Sequence, residues 1–446
     1  MEKLEQLLNS CYGDFNNNLF KNKMMCDYYK GKTEALENYK MVTARSNLKT
    51  RVNYIKKFIK EEVSYTLGNK ISYLSKSSNT KITDAIEYNL SHWSEKHDQN
   101  LLKNSLKYGE AYELYYINKL GEFCSRILTP LNGYVLENED GDIELALHVF
   151  TKKFDTTIFI DVYMEDVILH YKGGISNTCL IGNDAHYFGE VPISVCAISE
   201  EVEDDTIFND IKGLQDAYET NLSDITNEIC DFRSAYLVVT GVDIENSDLP
   251  KMKELGAIQV PNKDGTVSWL IKNINDSFIQ NTLNTLEDKI YQMSGHINSN
   301  EQLSSNTSSL ALRTRLISLS FVCSLDAKAM TNCIKNRLRM LFKYLAIISS
   351  GNYDYKDIKQ VYTYNIPSDD LVTAQIIAQL GSKLSTETAI AQLSFVDNVS
   401  DELKKISKEQ KANSIGNALL NPPVDTVVTK PVITEPIVTD PSVVTE

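Results

Sequence analysis

The sequence of 446 residues lacks the patterns that mark membrane-spanning and secreted proteins. No apolar run approaches the ~20 residues that cross a bilayer, so we expect no membrane span. The N-terminal stretch MEKLEQLLNS is charged and amphipathic, unlike a secretion signal. None of the eight cysteines belongs to a C-x-x-C pair, and several lie on apolar faces. We therefore predict reduced core cysteines in a protein made in the cytosol.

Motifs for catalysis and metal binding are absent or incomplete. The GKT at residues 31–33 ends like a phosphate loop, but Cys26 stands where the Walker pattern needs its first glycine. His92 and His97 are five residues apart, off the spacing of four that places two ligands on one helix face. We interpret them as exposed histidines. No nucleophile-elbow or zinc-protease motif occurs. We predict no catalytic residue, no metal and no cofactor.

Positive charge is in short supply, since 60 acidic residues against 45 basic ones give a net charge of −15. A protein that clamps DNA over a wide surface needs a basic footprint, so that class is disfavoured. A conduit past which DNA slides without sticking is compatible with this charge. The acidic segment 200–205 lacks the alternating ligand spacing of a calcium loop. We interpret it as the solvated start of a helix, where the helix dipole favours acids, with a hard-cation site as the alternative.

The chain does have one long helical segment, residues 308–349, without proline or glycine. Its apolar residues recur at steps of mostly three and four, which predicts a helix with one apolar face. They are Leu312, Leu316, Leu319, Cys323, Met330, Ile334, Leu338, Leu341, Leu345 and Ile348. At ~1.5 Å per residue this helix would be on the order of 60 Å long. A single globular core rarely needs such a rod, whereas an assembly with several layers does.

The same segment is the one concentrated basic element of the chain. Its basic residues are Arg313, Arg315, Lys328, Lys335, Arg337, Arg339 and Lys343, against a single acid, Asp326. Two interpretations stay open for this basic face. One is contact with nucleic acid, and the other is salt bridging to acidic neighbours in an oligomer. The net charge of −15 gives both interpretations about equal weight.

The remaining periodicities predict an α+β chain. Helices are predicted for residues 51–68 and 84–108, the first ending at Gly68 and the second near Gly109. Alternation with a period of two predicts an antiparallel sheet region over residues 110–195. Turn residues, mainly glycine, aspartate and asparagine, separate its short apolar runs.

A second long helix is predicted to begin after the acidic segment. Apolar residues at steps of three and four are expected to pack it: Ile211, Leu214, Tyr218, Ile225 and Ile229. Strands are predicted in AYLVVTG (235–241), GAIQVP (256–261) and TVSWLIK (266–272), then a helix at 276–293 and a polar, serine-rich stretch at 294–309. That stretch is either a disordered connector or a functional loop. A strand is predicted at 359–366 and short helices within 368–420, while the Pro/Thr/Val-rich residues 421–446 are predicted to be disordered.

The order of these elements, together with scattered motifs, resembles the portal proteins of long, non-contractile-tailed bacteriophages. The motifs are YYKGK (28–32), RVNYIKKFIKEEVSYTLGN (51–69), LKYGEAYELYY (106–116), EVPIS (190–194), TIFNDIKGLQDAYETNLSDITNEICDF (206–232), SSLALR (308–313) and LSTETAIAQLSFVDNVSDEL (384–403). The most specific pairing is the helix with DAYETNLSD followed by the Ser-x-x-Ala-Leu-Arg helix start. Asn69-Lys70 and Ser308-Ser309 depart from the proline and the Ser-Gly usual in the family, which affects local turns.

The resemblance implies an α+β portal fold with long stem and wing helices, antiparallel β-structure in the wing, a small α/β clip and a helical crown. Carried onto this sequence, the wing would be 1–204 and 310–367, the stem helices 205–234 and 276–293, the clip 235–275, the tunnel loop 294–309 and the crown 368–420. The last residues, 421–446, would be the disordered tail.

The resemblance also implies a place in a virus particle. Such proteins form a ring, usually of twelve subunits, at one capsid vertex of the virion, after assembly in the bacterial cytoplasm. Double-stranded DNA is packaged and later ejected through the central channel. A terminase motor and then a head-tail connector dock on the clip, and major capsid and scaffolding proteins are further partners.

The implied tunnel loop would present small neutral side chains to DNA: Asn298, Ser299, Asn300, Gln302, Ser304 and Asn306. These can brush phosphates without strong ion pairs, and salt confines the field of an acidic ring to about 8–10 Å. We predict a non-enzymatic portal protein. The alternatives are a DNA-packaging enzyme, either a nucleotide-driven motor or a nuclease, and a non-portal ring protein of the head or tail.

Overall fold

The structure is a computed structural model of the chain, and the part that it describes is α+β. It describes residues 2–40, 47–173, 179–202, 204–232, 236–240, 266–270, 276–298, 316–348, 350–364, 370–393, 396 and 399–420. Within those ranges the α-helices are α1 (Glu2–Tyr29), α2 (Glu34–Asn38), α3 (Tyr54–Leu67), α4 (Thr80–Leu90), α5 (His97–Tyr108), α6 (Ile207–Phe232), α7 (Asp276–Ser294), α8 (Ile317–Ile347), α9 (Asp370–Leu380), α10 (Thr386–Ile390) and α11 (Val399–Leu420).

The strands in the same ranges form antiparallel sheets. The strands are β1 (Ser72–Ser75), β2 (Glu110–Ile117), β3 (Phe123–Leu128), β4 (Gly133–Glu137), β5 (Ile143–Thr151), β6 (Ile158–Tyr163), β7 (Val167–Lys172), β8 (Cys179–Ala185), β9 (Ile193–Ala197), β10 (Tyr236–Thr240), β11 (Thr266–Leu270) and β12 (Ile358–Val361). Strand β2 lies between β3 and β9, and β4 to β8 form a meander. The predicted antiparallel region at 110–195 is therefore confirmed, although it divides into two sheets.

The long helix α8 is the centre of the largest hydrophobic core. Its residues Met330, Cys333, Ile334, Leu338 and Leu341 are fully buried. The helix packs against α3, β2 and β9, and α5 covers β2 from the other direction. Burying a large aliphatic side chain contributes about 1.5–3 kcal/mol. Burial of this face against elements of the same chain therefore holds α8 at the centre of the core.

The described part of α8 is shorter than the rod predicted from sequence. It has 31 residues, which at ~1.5 Å each is on the order of 46 Å. The apolar periodicity is confirmed over that length. Residues 308–315 of the predicted helix lie outside the described residues.

A second core joins α1 to the five-stranded sheet. Cys11, Tyr12 and Phe15 of α1 pack with Leu147 of β5 and Ile160 of β6. All five are buried. The helix α1 thus covers one face of the sheet, and burial falls from β5 and β6 towards the fully exposed strand β8.

A helix–strand–strand–helix unit leaves the main core and returns to it. Ile211 near the start of α6 and Ile290 near the end of α7 are both fully buried in that core. The two helices pack along each other, and β10 pairs with β11, from Tyr236 opposite Leu270 to Thr240 opposite Thr266. The strand pair therefore connects the ends of α6 and α7 that are farther from the core.

Two predicted elements differ from the structure, whereas the helix ends predicted at Gly68 and Gly109 agree with it. The helix predicted at 84–108 is two helices, α4 and α5, because the chain turns at Ser91 and the Trp93 indole donates to the Phe123 carbonyl. Gly109 ends α5 in the left-handed region (φ +88°), as expected of a terminal glycine. Helix α3 ends at Gly68 with an ordinary φ of −61°. The strand predicted at 359–366 is the shorter β12.

The C-terminal helices form a small unit of their own. Ile390, Val396 and Val399 pack together, and Lys404 of α11 lies 2.8 Å from Asp84 and 3.1 Å from Glu87 of α4. The predicted short helices within 368–420 are confirmed for the described residues. The predicted disordered tail, 421–446, lies outside them.

The cysteine prediction holds for most of the thiols. All eight cysteines are free, and the buried ones are Cys11, Cys26, Cys196, Cys323 and Cys333. Cys179, on the exposed strand β8, is the clearest departure from a core position.

Candidate functional site: the basic helix and the helix pair

The most buried cation of α8 is Arg337, which is 1% exposed. Its Nε lies 3.0 Å from Glu113 Oε1, and its Nη2 lies 2.7 Å from Asp98 Oδ1. The guanidinium is also 5.2 Å from the ring centre of Trp93, a cation–π distance. Glu113 in turn is 2.7 Å from Nε2 of His97. One arginine therefore ties together α5, β2 and α8.

This network keeps the Glu113 carboxylate charged inside the core. Complete burial on its own would raise the pKa of Glu113, but Arg337 and His97 outweigh it and lower that pKa to about 2. The position of His97 corrects the prediction of an exposed histidine, since its side chain is largely covered. His92 is exposed, as predicted.

The position of Arg337 contradicts the prediction that this residue contacts DNA or a neighbouring subunit. Its guanidinium lies inside one chain between two carboxylates of the same chain, so it does not face DNA or a neighbouring subunit. The sequence contained a signal for this, because Arg337 is three residues after Ile334 and four before Leu341. Those two residues define the apolar face, and a basic residue on that face is expected to be buried and paired.

The neighbouring basic residues point outward. Arg339 lies 2.9 Å and Lys343 2.8 Å from the two carboxylate oxygens of Glu190. Salt bridging is thus observed for these two within the chain, and a contact of Arg339 with DNA or a neighbouring subunit stays a prediction. Lys335 is exposed. Arg313 and Arg315 lie outside the described residues, so their predicted contacts stay predictions.

The predicted tunnel loop is described only at its first residues. Asn298 follows α7, and its amide donates to Glu287 of that helix at 3.4 Å. The other predicted DNA-facing residues, Ser299, Asn300, Gln302, Ser304 and Asn306, lie outside the described residues. Their role stays a prediction.

The apolar positions of α6 pack in two different ways. Ile211 is fully buried, and Leu214 and Tyr218 are partly buried against the same core. Ile225 and Ile229 instead line a groove of about 670 Å³ between α6 and α7, and Ile229 is 57% exposed. The predicted packing face is therefore well covered near the core and open towards the strand pair.

The best-buried face of α6 is polar, and sequence reasoning missed it. Gln215, Glu219, Ser223 and Asn227 are all fully buried. They follow one another at steps of four, so they lie on one helix face. That regular spacing was the signal available in the sequence.

Three of these side chains accept hydrogen bonds from an extended backbone segment. The backbone N–H groups of Leu48, Thr50 and Val52 donate to Asn227, Ser223 and Glu219 at 2.7, 2.9 and 2.8 Å. Two residues of extended chain span about 6.6 Å and four residues of helix about 6 Å, so the two repeats match. The Thr33 hydroxyl also donates to Glu219, at 2.5 Å.

A buried carboxyl pair lies between α3 and α8. Glu62 and Asp326 are 0% and 1% exposed, and both Glu62 oxygens lack a hydrogen-bond partner among the described residues. Burial, followed by repulsion from Asp326, raises the pKa of Glu62 well above its ordinary value. Burial also raises the pKa of Asp326 to about 7. Both pKa values are raised, so this buried pair keeps its protons to a higher pH than exposed carboxyl groups do.

A histidine bridge on the five-stranded sheet was also missed. His170 of β7 lies 2.7 Å from Asp161 of β6 and 3.1 Å from Asp184 of β8. Burial disfavours its charge, but the bonds to both carboxylates raise the pKa of His170 above its usual value. These partners are adjacent only through strand pairing, so the sequence spacing gives no sign of them.

The described residues contain neither a metal-binding cluster nor a membrane-spanning helix. Among them no group of three or more His, Cys, Asp and Glu side chains has a metal-binding arrangement. None of the described helices is long and apolar enough to span a bilayer. The acidic residues at 200–205 precede α6, as the interpretation of a solvated helix start predicts.

These features define a structural class of protein: long helices bound into an α+β body, with a helix pair carrying a small strand pair. The profile of the family described as "Phage portal protein, SPP1 Gp6-like" matches residues 8–415. The chain belongs to this family of phage portal proteins. The portal protein of Bacillus phage SPP1 is 24% identical over 410 residues, covering 84% of this chain and 79% of the relative. That of Clostridium phage phiCD119 is 20% identical over 371 residues, with 80% and 78% covered.

Solved structures with a weaker likeness come from gene transfer agent particles. The neck of an empty particle, determined with C6 symmetry, has 10% identity and a TM-score of 0.46, covering 76% of this chain and 90% of that chain. The neck of a native particle, determined with C12 symmetry, has 9% identity and a TM-score of 0.44, with 76% and 89% covered.

Family membership supplies the function in outline. A portal protein is a structural component of the phage virion and acts at a capsid vertex. The resemblance inferred from the sequence motifs is thereby confirmed, as is the α+β fold class.

Proposed function

We propose that copies of this chain assemble into a ring of twelve subunits around a channel for double-stranded DNA. The observation that carries the proposal is the exposure of large apolar side chains on otherwise well-buried long helices. Ile229 of α6 is 57% exposed, and Phe321 and Leu325 of α8 are 68% and 55% exposed. A ring of identical subunits buries such faces in its repeated contacts.

The domain assignment follows the helix–strand–strand–helix unit. We propose that α6 and α7 are the stem helices within 205–234 and 276–293. The strand pair lies in the proposed clip, 235–275, and this supports a tip that projects from the body. Residues 1–204 and 310–367 then form the wing, and 368–420 form the crown.

The partners proposed for this ring are those that the membership of the portal family implies. The terminase motor and then the head-tail connector dock on the clip, while major capsid and scaffolding proteins contact the body. Assembly takes place in the cytoplasm of the bacterial host. The chain itself performs no chemical step in this proposal, because it acts as a conduit and a docking platform.

The tunnel loop, 294–309, is proposed to face the DNA. Its neutral asparagine and serine side chains allow duplex DNA to slide, since no ion pair has to break at each step. Replacing Asn298, Ser299 and Asn300 together with aspartate is expected to slow packaging and ejection. Packaging and ejection at the unmodified rate would show that another segment faces the DNA.

Imaging of the purified full-length protein tests the ring. End-on views by electron microscopy are expected to show a closed ring with a central hole wide enough for duplex DNA. A monomer at every concentration, or a ring without an open channel, would contradict the proposal. An ATPase assay on the same sample is expected to show no turnover, whereas turnover would favour a packaging motor.

A further inference from the structure

Helix α8 has an exposed ridge opposite its buried face. Ile317, Phe321 and Leu325 follow at steps of four and are 47%, 68% and 55% exposed. Lys328 and Lys335 continue the same side of the helix and are also exposed. We call these five residues the outer ridge. It is apolar in its N-terminal half and basic in its C-terminal half.

The basic half of the outer ridge differs from the rest of the helix. Arg339 and Lys343 are paired with Glu190. Within the part of the chain that the structure describes, Lys328 and Lys335 have no carboxylate at salt-bridge distance. The ridge thus presents two cations and three large apolar side chains that the chain's own fold does not cover.

An acidic corner of the same chain lies on the other side of α8. Glu200, Glu201, Asp204 and Asp205 are exposed and follow strand β9, which packs on α8. The contact between that strand and the helix includes Cys196 Sγ and Met330 Sδ, 3.6 Å apart. Residues 328 and 330 are about 200° apart around a helix of 3.6 residues per turn. The outer ridge therefore faces away from the side that carries β9.

Two different surfaces on opposite sides of one subunit are what a head-to-tail ring requires. We propose that the outer ridge of one copy docks on the acidic corner of the next copy. This inference rests on the proposed ring. Phe321 and Leu325 would lie at the dry centre of the contact, where apolar anchors contribute most to affinity. Lys328 and Lys335 would face the acids at its rim.

Charge gives an independent reason for this pairing. Each copy carries a net charge of −15, so identical subunits repel one another when they approach. A contact in which one side is locally basic and the other acidic reverses that repulsion where the surfaces meet. The outer ridge meets this requirement, because it combines uncovered cations with an apolar surface.

The first test removes the apolar anchor. Phe321→Asp in the full-length protein is expected to lower the fraction of rings at least tenfold in native mass spectrometry at equal concentration. Its matched control is Phe154→Asp, since Phe154 is 97% exposed outside the ridge, and rings are expected to persist. Because Phe321 is exposed in the single chain, the thermal unfolding of the monomer should change little.

The second test exchanges charges and depends on no apolar residue. Lys328→Glu with Lys335→Glu is expected to lower the ring fraction several-fold at low salt. Adding Glu201→Lys and Asp204→Lys to the same chain is expected to restore it. Rings that persist at the wild-type level after Phe321→Asp and after Lys328→Glu with Lys335→Glu, or a loss that the added lysines do not repair, would overturn the docking proposal. A wild-type protein without rings would instead contradict the proposed function itself.

Discussion

The two long helices α6 and α8 bury opposite kinds of surface. Helix α8 buries an apolar face that encloses one paired arginine, whereas α6 buries a row of polar side chains. The difference lies in what covers each helix. Helix α8 meets the side chains of α3, β2 and β9. Helix α6 meets the extended backbone around residues 48–52, whose N–H groups need acceptors. The covering partner therefore decides which face of a helix is buried.

The largest effect is expected from breaking the buried ion network of α8. Arg337→Met leaves the Glu113 carboxylate buried without its main counter-charge, at an expected loss of about 3–5 kcal/mol in the free energy of unfolding. Urea denaturation at pH 7 measures this loss. Lys335→Met, two residues away and exposed, is the control and should change stability by less than about 0.5 kcal/mol.

A double variant shows whether this loss of stability comes from the unpaired charge or from lost packing. Adding Glu113→Gln to Arg337→Met removes the unpaired charge and is expected to recover part of the lost stability. If the double variant is as unstable as the sum of both single variants, the cost comes from packing and not from an unpaired charge.

The second prediction concerns the pH dependence of stability that the buried Asp326 of α8 produces. An unfolded aspartate loses its proton near pH 3.8, whereas burial raises the pKa of Asp326 to about 7 in the fold. Between those values unfolding releases a proton, so this group makes stability fall as the pH rises. From pH 5 to 8 the loss is about 2–3 kcal/mol.

Asp326→Asn removes that titration. The variant is expected to lose less stability between pH 5 and pH 8 than the wild type, measured by urea midpoints at both values. Equal slopes would show that Asp326 does not hold a proton in the fold. Asp140→Asn is a suitable control, since Asp140 is exposed in the turn between β4 and β5.

The smallest effect is expected on α6, where single hydrogen bonds hold an extended segment. Glu219→Ala removes the acceptor for the Val52 N–H and the Thr33 hydroxyl, at about 1–3 kcal/mol. Hydrogen exchange at the amide of Val52 should become faster, while Asn221→Ala on the exposed side of α6 leaves it unchanged. Exchange at the wild-type rate in Glu219→Ala would mean that the segment is held by its neighbours alone.

Much of the fold could be predicted, because the spacing of apolar residues along a helix or strand indicates which of its faces is buried against other apolar residues. This worked for α8 and for the antiparallel sheets, where the covering partner is apolar. The end of α5 at Gly109 was also predictable, because helices often end at a glycine that adopts the left-handed conformation.

The rest depended on partners distant in the chain. Arg337 binds Glu113 across more than two hundred residues, and composition alone could not distinguish a basic residue paired in the core from one facing DNA. The step-of-four spacing of the polar face of α6 was visible in the sequence. Its partners are backbone groups of residues 48–52, far away in the chain, so the spacing alone did not show what covers that face. The site residues assigned to the tunnel loop stay predictions.

The helix–strand–strand–helix unit has a consequence for how the molecule can change over time. Both helices are anchored in the body by Ile211 and Ile290, and the strands join them at the far end. Sequence changes near β10 and β11 therefore do not disturb the central packing. We therefore expect the proposed clip to tolerate sequence change while the body keeps its shape.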